Sequence, residues 1–500
     1  GSDAVIFSDI ENLVATDQAD VIDAGSDTAG TNIDAGAGAD TITGGSGADS
    51  IDAGDGSDRI VVTDGFGQDT VSGGDAGDTG SDDLTFEKLG QGVTVTFTGA
   101  ESGSATDGTD TLGFSEIEEI HGSDHDDRID ASLVSGTGPY VVAGDGDDTI
   151  LGGSGADDLR GGEGDDSILG GDGGGNLEGG GGRDTVVGGS GAEDIYGNSG
   201  DDSLSGAGGD DWFSAGSGAD TIEGGTGDDY IEVQSDSDTD VIVLADGSGD
   251  DTVYGFDGPH NLGGGVYSSE DLLDVSGLHD SNGAIVNTDD VVVTDSNGDG
   301  TGDAILTFPG GESITLKGVN VSAVSTPEQL HAIGIPMPDY VVEGTTGADV
   351  IDASYLGDPE GDMVDATDNA LGNNDDEIIA GAGDDTITGG DGSDRIKGGD
   401  DRDTFIATDG FGNDTIFGGE GGSDRDTLHL AGLSGPVTVT YTGDEAGTAT
   451  DGTDTITFSE IEHLSLPDGD NLVDGTADSA GLHVWSGSGN DTIKGGDGKD

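Results

Sequence analysis

Between Ala143 and Glu232 the chain consists of ten nonapeptides laid end to end without a gap. Their eighth residues are Ile150, Leu159, Ile168, Leu177, Val186, Ile195, Leu204, Phe213, Ile222 and Ile231, every one apolar. Their sixth residues are Asp148, Asp157, Asp166, Gly175, Asp184, Glu193, Asp202, Asp211, Asp220 and Asp229, eight of the ten aspartate. So short and strict a period constrains the fold more than any other feature, because nine residues cannot bury a core alone and must stack on their copies. The unit recurs at 35–61 (AGAGADTIT GGSGADSID AGDGSDRIV), at 371–406 (LGNNDDEII AGAGDDTIT GGDGSDRIK GGDDRDTFI) and at 486–494 (SGSGNDTIK), which makes eighteen complete copies in four arrays.

Composition alone argues against order. Glycine supplies 102 of 500 residues and aromatics only 4%, too little apolar surface to offset chain entropy. Acidic residues number 107 against 12 basic, a formal net charge of −95. That charge excludes nucleic acid and anionic membrane surfaces as partners and favours cations. The absence of cysteine excludes disulfides, thiolate zinc sites and cysteine nucleophiles within the sequence. No apolar run approaches the roughly 18 residues of a membrane span, and no basic-then-apolar signal opens the sequence. The last repeat breaks off six residues in, at GGDGKD, so both ends are expected to be the edges of a fragment.

A longer duplication overlies the short one. VTVTFTGAESGSATDGTDTLGFSEIEEI (93–120) matches VTVTYTGDEAGTATDGTDTITFSEIEHL (437–464), and TDGFGQDTV (63–71) matches TDGFGNDTI (408–416). VIFSDIENL (5–13) is a third, partial copy, and GTTGADVIDAS (344–354) resembles HGSDHDDRIDAS (121–132). Alternating β-branched and aromatic residues in these segments predict strands. STPEQLHAIGIP (325–336) predicts one short helix over 326–333: Thr326 caps it, Pro327 fits the first position, Gln329 completes a capping box, and Gly334 and Pro336 end it.

Each nonapeptide predicts a strand of about three residues around its eighth place, preceded by a glycine turn. With two such units per coil, the eighth-place residues form a narrow core and the sixth-place carboxylates line both edges beside turn carbonyls. An oxygen-only donor set suits a hard cation, calcium better than magnesium, and poorly suits zinc or copper. Binding would neutralise the stacked carboxylates, so its free energy becomes folding free energy. The predicted ligands are Asp40, Asp49, Asp58, Asp148, Asp157, Asp166, Asp184, Asp202, Asp211, Asp220, Asp229, Asp376, Asp385, Asp394, Asp403 and Asp491. Odd repeats of the long array form an unbroken column, Asp148 to Asp220. Both departures, Gly175 and Glu193, fall on the even edge, where weak or missing ions are expected.

The motif GGxGxDxUx (U apolar), here GGSGADDLR (152–160) and GGTGDDYIE (224–232), resembles the repeat-in-toxin (RTX) family. The resemblance implies an all-β fold, a parallel β-roll or β-solenoid, with calcium as cofactor and type I secretion into extracellular, calcium-rich surroundings. On this reading 1–34 ends a preceding module, 35–72 is a short roll, 73–142 a β-rich spacer and 143–233 the main roll. A β-rich insertion with the helix follows at 234–343, then a roll at 344–417, a duplicate spacer at 418–485 and a new array at 486–500. PEQLHAIGIPMPDY resembles the junction that in some RTX proteins leads into a self-processing Hint domain, but Met337 stands where a cysteine follows there.

Other signals are weaker. DSNGDGTGD (295–303) places Asp295, Asn297 and Asp299 at calcium-loop spacing, but Leu306 stands where an EF-hand has its bidentate glutamate. A calcium-braced turn and a plain hairpin turn fit it equally. His121 and His125 read as solvated loop residues. No GxSxG, HExxH or Walker motif occurs, and no carboxylate pair is singled out as an acid and base. In the insertion, Tyr254, Phe256, Tyr267 and Phe308 are too scattered for a sugar-binding platform. Two functions follow: a non-catalytic secreted fibre, adhesin stalk or surface-layer component, or the calcium-dependent export segment of a larger enzyme or toxin. The fibre reading carries self-association into a filament or lattice, and a cell-surface polysaccharide, as candidate partners.

Overall fold

The computed structural model describes residues 4–6, 10–74, 80–235, 237–280, 283, 285–338, 340–358, 362–364, 374–419, 421 and 425–498. Residues 371–373 of the third array and 499–500 of the last lie outside these. The chain divides into two units, 1–278 with 290–336, and 279–289 with 337–500.

Within the arrays of the first unit successive strands alternate between a 16-stranded and a 15-stranded sheet. Within the long array each strand pairs in parallel with the strand 18 residues away. Ile150, Ile168, Val186, Leu204 and Ile222 form one file. Leu159, Leu177, Ile195, Phe213 and Ile231 form the other. One coil therefore takes two nonapeptides. All ten of these side chains are buried, while their neighbours in the strand face outward, as in Ser167–Leu169.

The two sheets differ in a way the repeat does not announce. One has short strands, such as Thr149–Leu151 and Ser167–Leu169. The other has strands of seven residues, Asp157–Glu163, Gly175–Gly181 and Glu193–Ser199, that continue through the turn. Glycine makes this continuation sterically possible. Gly162 and Gly180 pair directly, both with positive φ (131° and 123°), and a side chain on Gly180 would strike the Gly162 carbonyl oxygen.

The segment 73–142 adds to both sheets. Asp83–Lys88 and Glu119–His121 extend the first. Thr94–Gly99, Ser102–Thr106 and Thr111–Ser115 form an antiparallel meander within the second, flanked by parallel neighbours Gln68–Ser72 and Arg128–Asp130. Here the core thickens: Phe97 and Phe114 meet edge to face at 5.3 Å. Their duplicates Tyr441 and Phe458 do the same at 5.4 Å in the second unit. Phe114→Ala is expected to cost about 3–5 kcal/mol, read as a lowered urea midpoint of calcium-loaded protein with unchanged slope.

Beyond the long array, Val241–Ala245 and Leu272–Gly277 complete the 15-stranded sheet. Ser313–Asn320, Asp303–Thr307 and Val292–Asp295 close the other as an antiparallel meander. The helix spans Pro327–Ala332, with the Thr326 and Gln329 capping box formed. The backbone N–H of Leu273 donates to the Ile333 carbonyl at 2.6 Å, so the helix end covers the edge strand.

The second unit repeats the scheme with sheets of nine and six strands. Ile378, Ile396 and Ile416 file along one sheet, and Ile351, Ile387, Phe405, Leu428 and Leu464 along the other.

Candidate functional site

The sixth-place aspartates sit at the start of each strand, two residues before an apolar one, and are themselves buried, except Asp491, which is half-buried ahead of the exposed Ile493. Their carboxylates are tethered from coil to coil. On the odd edge, Asp148 Oδ1 accepts the backbone N–H of Asp127 at 2.7 Å, and Asp166 Oδ1 that of Asp148 at 2.8 Å. Asp184, Asp202, Asp220 and Asp240 continue the series at 2.8 to 3.0 Å, and Asp271 ends it at 3.2 Å. The second oxygens of Asp148, Asp166, Asp184, Asp202 and Asp220 are buried without a hydrogen-bond partner.

The even edge carries a shorter ladder, Glu193 to Asp211 to Asp229 to Asp251. It is interrupted at Gly175. There the backbone N–H of Asp157 turns to the Gly174 carbonyl at 3.3 Å, and Asp157 Oδ2 accepts from Gly153 at 2.9 Å. Gly175 has φ of 152°, and a Cβ on it would strike the Asp157 carbonyl oxygen. By sequence Gly175 is a missing carboxylate; its backbone has also taken a shape that L side chains rarely adopt.

The remaining predicted sixth-place aspartates join ladders too. Asp40 and Asp58 accept from Asp20 and Asp40, both at 2.7 Å, and Asp49 from Thr31 at 2.8 Å. In the second unit Asp385 and Asp403 follow Asp349, while Asp394 accepts from Asp376 and Asp491 from Asn471. The ladders also include residues the nonapeptide reading missed: Asp20, Asp69, Asp82, Asp127, Asp240, Asp251, Asp271, Asp349, Asp414, Asp426 and Asn471. Each stands two residues before a buried apolar residue, as in Asp69-Thr-Val71. That tripeptide, without the glycines, is the signal that would have found them.

The profile described as RTX calcium-binding nonapeptide repeat (4 copies) matches residues 30–60, 140–168, 169–204, 205–240, 243–258, 372–405, 406–429 and 483–500. The nonapeptides are RTX repeats. The chain is therefore a calcium-binding repeat protein, a parallel RTX β-roll with one short helix. No curated protein matches the sequence. Among solved structures it is similar to the crystal structure of extracellular lipase LipA from Serratia marcescens, at 16% identity over 58% of this chain. The match spans 38% of the lipase chain with a TM-score of 0.12.

The RTX turns fit calcium on their own chemistry. A buried carboxylate oxygen without a donor is costly unless a cation meets it. A Cβ on Gly161 would strike Asp166 Oδ2 and lie 2.7 Å from the Gly179 carbonyl oxygen; at Gly206 the equivalents are Asp211 Oδ2 and the Gly224 carbonyl. Carboxylate and carbonyl oxygens thus converge on a space kept open by glycine. Among the described residues no three histidine, aspartate or glutamate side chains are placed together to hold a metal ion. Each RTX site would rest on one tethered carboxylate and backbone carbonyls, and a bound ion would supply the charge that the buried oxygens lack.

Burial pushes the RTX carboxyls up, to about 8 for Asp148, about 7 for Asp166 and Asp220, and about 6 for Asp184 and Asp229. The tethering amides pull down and neighbouring carboxylates push up further. In the unfolded chain these groups titrate near 3.9. The metal-free folded state therefore holds more protons, and the stability this contributes is lost as pH rises through 6 to 8. Calcium-free protein is expected to show more β circular dichroism at pH 5 than at pH 8. A signal that grows with pH would contradict this.

Asp295, Asn297 and Asp299 lie apart from the RTX ladders, in the exposed turn between Val292–Asp295 and Asp303–Thr307. Asp295 accepts the backbone N–H groups of Asn297, Asp299 and Gly300 at 2.9 to 3.1 Å, which holds its carboxyl below the usual range. His121, expected in a loop, ends a strand, 3.8 Å from Asp83.

Proposed function

We propose that the chain is a non-catalytic structural segment of a secreted protein: a β-roll fibre, adhesin stalk or surface-layer component that stiffens on meeting extracellular calcium after type I secretion. The observation that carries this reading is the continuity of the sheets. Within each unit, arrays and spacers alike add strands to one pair of sheets, and a carboxylate ladder runs along their turns. Such a body resists bending because each added coil pairs over its length with the last. The predicted sixth-place aspartates are the ligands in this proposal. Self-association and a cell-surface polysaccharide are the partners a stalk or lattice would need.

The test is small-angle scattering and electron microscopy of the chain in calcium and after its removal. A stiff rod or ordered assembly that appears with calcium supports the proposal. A particle that stays compact and unassembled in both conditions overturns it.

A further inference from the structure

The outward face of the 16-stranded sheet carries an aromatic strip unsuspected from the sequence. Tyr196, Trp212, Tyr230 and Tyr254 come from four successive strands of that sheet. Ring centroids are 5.0 Å apart for Tyr196 and Trp212, 6.3 Å for Trp212 and Tyr230, and 4.7 Å for Tyr230 and Tyr254. All four are partly or fully exposed. Carboxylates flank them in register: Asp194 pairs with Trp212 and Glu232 with Tyr254.

The same face shows what such a setting accepts. Three coils earlier, the Arg160 guanidinium lies over the Tyr140 ring at 5.1 Å and pairs with Asp158 and Glu178 at 3.4 and 3.5 Å. In the second unit Arg395 lies over Phe417 at 4.8 Å and pairs with Glu377 at 3.4 Å. An aromatic ring beside a carboxylate on this kind of sheet face thus holds an arginine twice within the chain. Among the described residues, Asp194 and Glu232 form no ion pair with an arginine or lysine of the chain, and no guanidinium lies over the four rings.

We propose that this strip docks an arginine-bearing extended segment of another protein. A foreign chain is the occupant because this one has only 12 basic residues against 107 acidic ones, and the surrounding field favours a cationic partner. Four strands at about 4.8 Å spacing make a strip of about 14 Å, which matches arginines at alternate positions of an extended chain, about 7 Å apart.

The test uses the full chain in calcium with Trp485→Phe, which leaves Trp212 as the only tryptophan. The probe is a heptapeptide of alternating arginine and threonine. It is expected to change Trp212 fluorescence and to bind saturably by calorimetry. Asp194→Asn with Glu232→Gln should weaken binding about tenfold, and Trp212→Ser with Tyr230→Ser at least as much. Glu11→Gln with Glu101→Gln, an equal charge change at exposed sites elsewhere, should leave affinity within about twofold. Calcium-dependent circular dichroism checks that each variant folds. Equal weakening by both charge pairs would reduce the effect to the net field and overturn the proposal. So would unchanged binding in the Trp212 and Tyr230 variant, or cellohexaose binding at Trp212 where the peptide does not.

Discussion

Removing calcium at pH 8 is expected to unfold the arrays outright. Neighbouring carboxylates of a ladder recur once per coil, about 5 Å apart, and at an effective dielectric of about 20 each ionised pair repels by about 3 kcal/mol. The buried aliphatic side chain that accompanies each one contributes about 1.5–3 kcal/mol. Without a cation the two are of similar size, and nothing in so thin a core remains to offset the chain entropy. Hydrogen exchange should show residues 143–232 losing protection together after chelation. Residues 83–121, with Phe97 and Phe114 beneath them, should lose it last. Protection in the array that survives chelation at pH 8 would contradict this.

The second large effect comes from a single methyl group. Gly180→Ala is expected to raise the calcium midpoint of folding and to split its transition in two. The substitution meets a φ of 123° and the Gly162 carbonyl oxygen together, and the array cannot stack through that turn. Backbone strain and overpacking together amount to about 2–6 kcal/mol. Gly181→Ala is the control. There a Cβ would meet only the flexible end of Glu163, at 3.0 Å, and φ is not in the left-handed region. A calcium titration followed by circular dichroism should find the Gly181 variant near the parent. Equal effects from the two neighbours would show that the steric account of the turn is wrong.

Much of this was legible because the repeat is local and strict. The eighth-place residues could only be core, and an 18-residue coil follows from pairing alternate units. The helix was legible from its capping box, a purely local device. Three features depended on register between distant residues and were not. The repeat does not reveal that one oxygen of the carboxylate is occupied by a backbone amide, as when Asp166 Oδ1 accepts the N–H of Asp148 and Oδ2 stays unpartnered. Ladder members such as Asp240 and Asp271 lie outside the nonapeptides; a local tripeptide marks them, but only pairing between coils shows that they continue the ladder. Tyr196, Trp212, Tyr230 and Tyr254 are spaced unevenly in sequence, and only pairing across insertions of different length aligns them.

The central claim is that along the odd edge of the long array the second oxygen of each tethered sixth-place carboxylate holds calcium. Anomalous diffraction from crystals grown in calcium tests it most directly. The account predicts a peak against Oδ2 of Asp148, Asp166, Asp184, Asp202 and Asp220 in unbroken succession, and weak or absent density beside Gly175 and Glu193. Empty turns along the odd edge, or an ion of full occupancy beside Gly175, would contradict it.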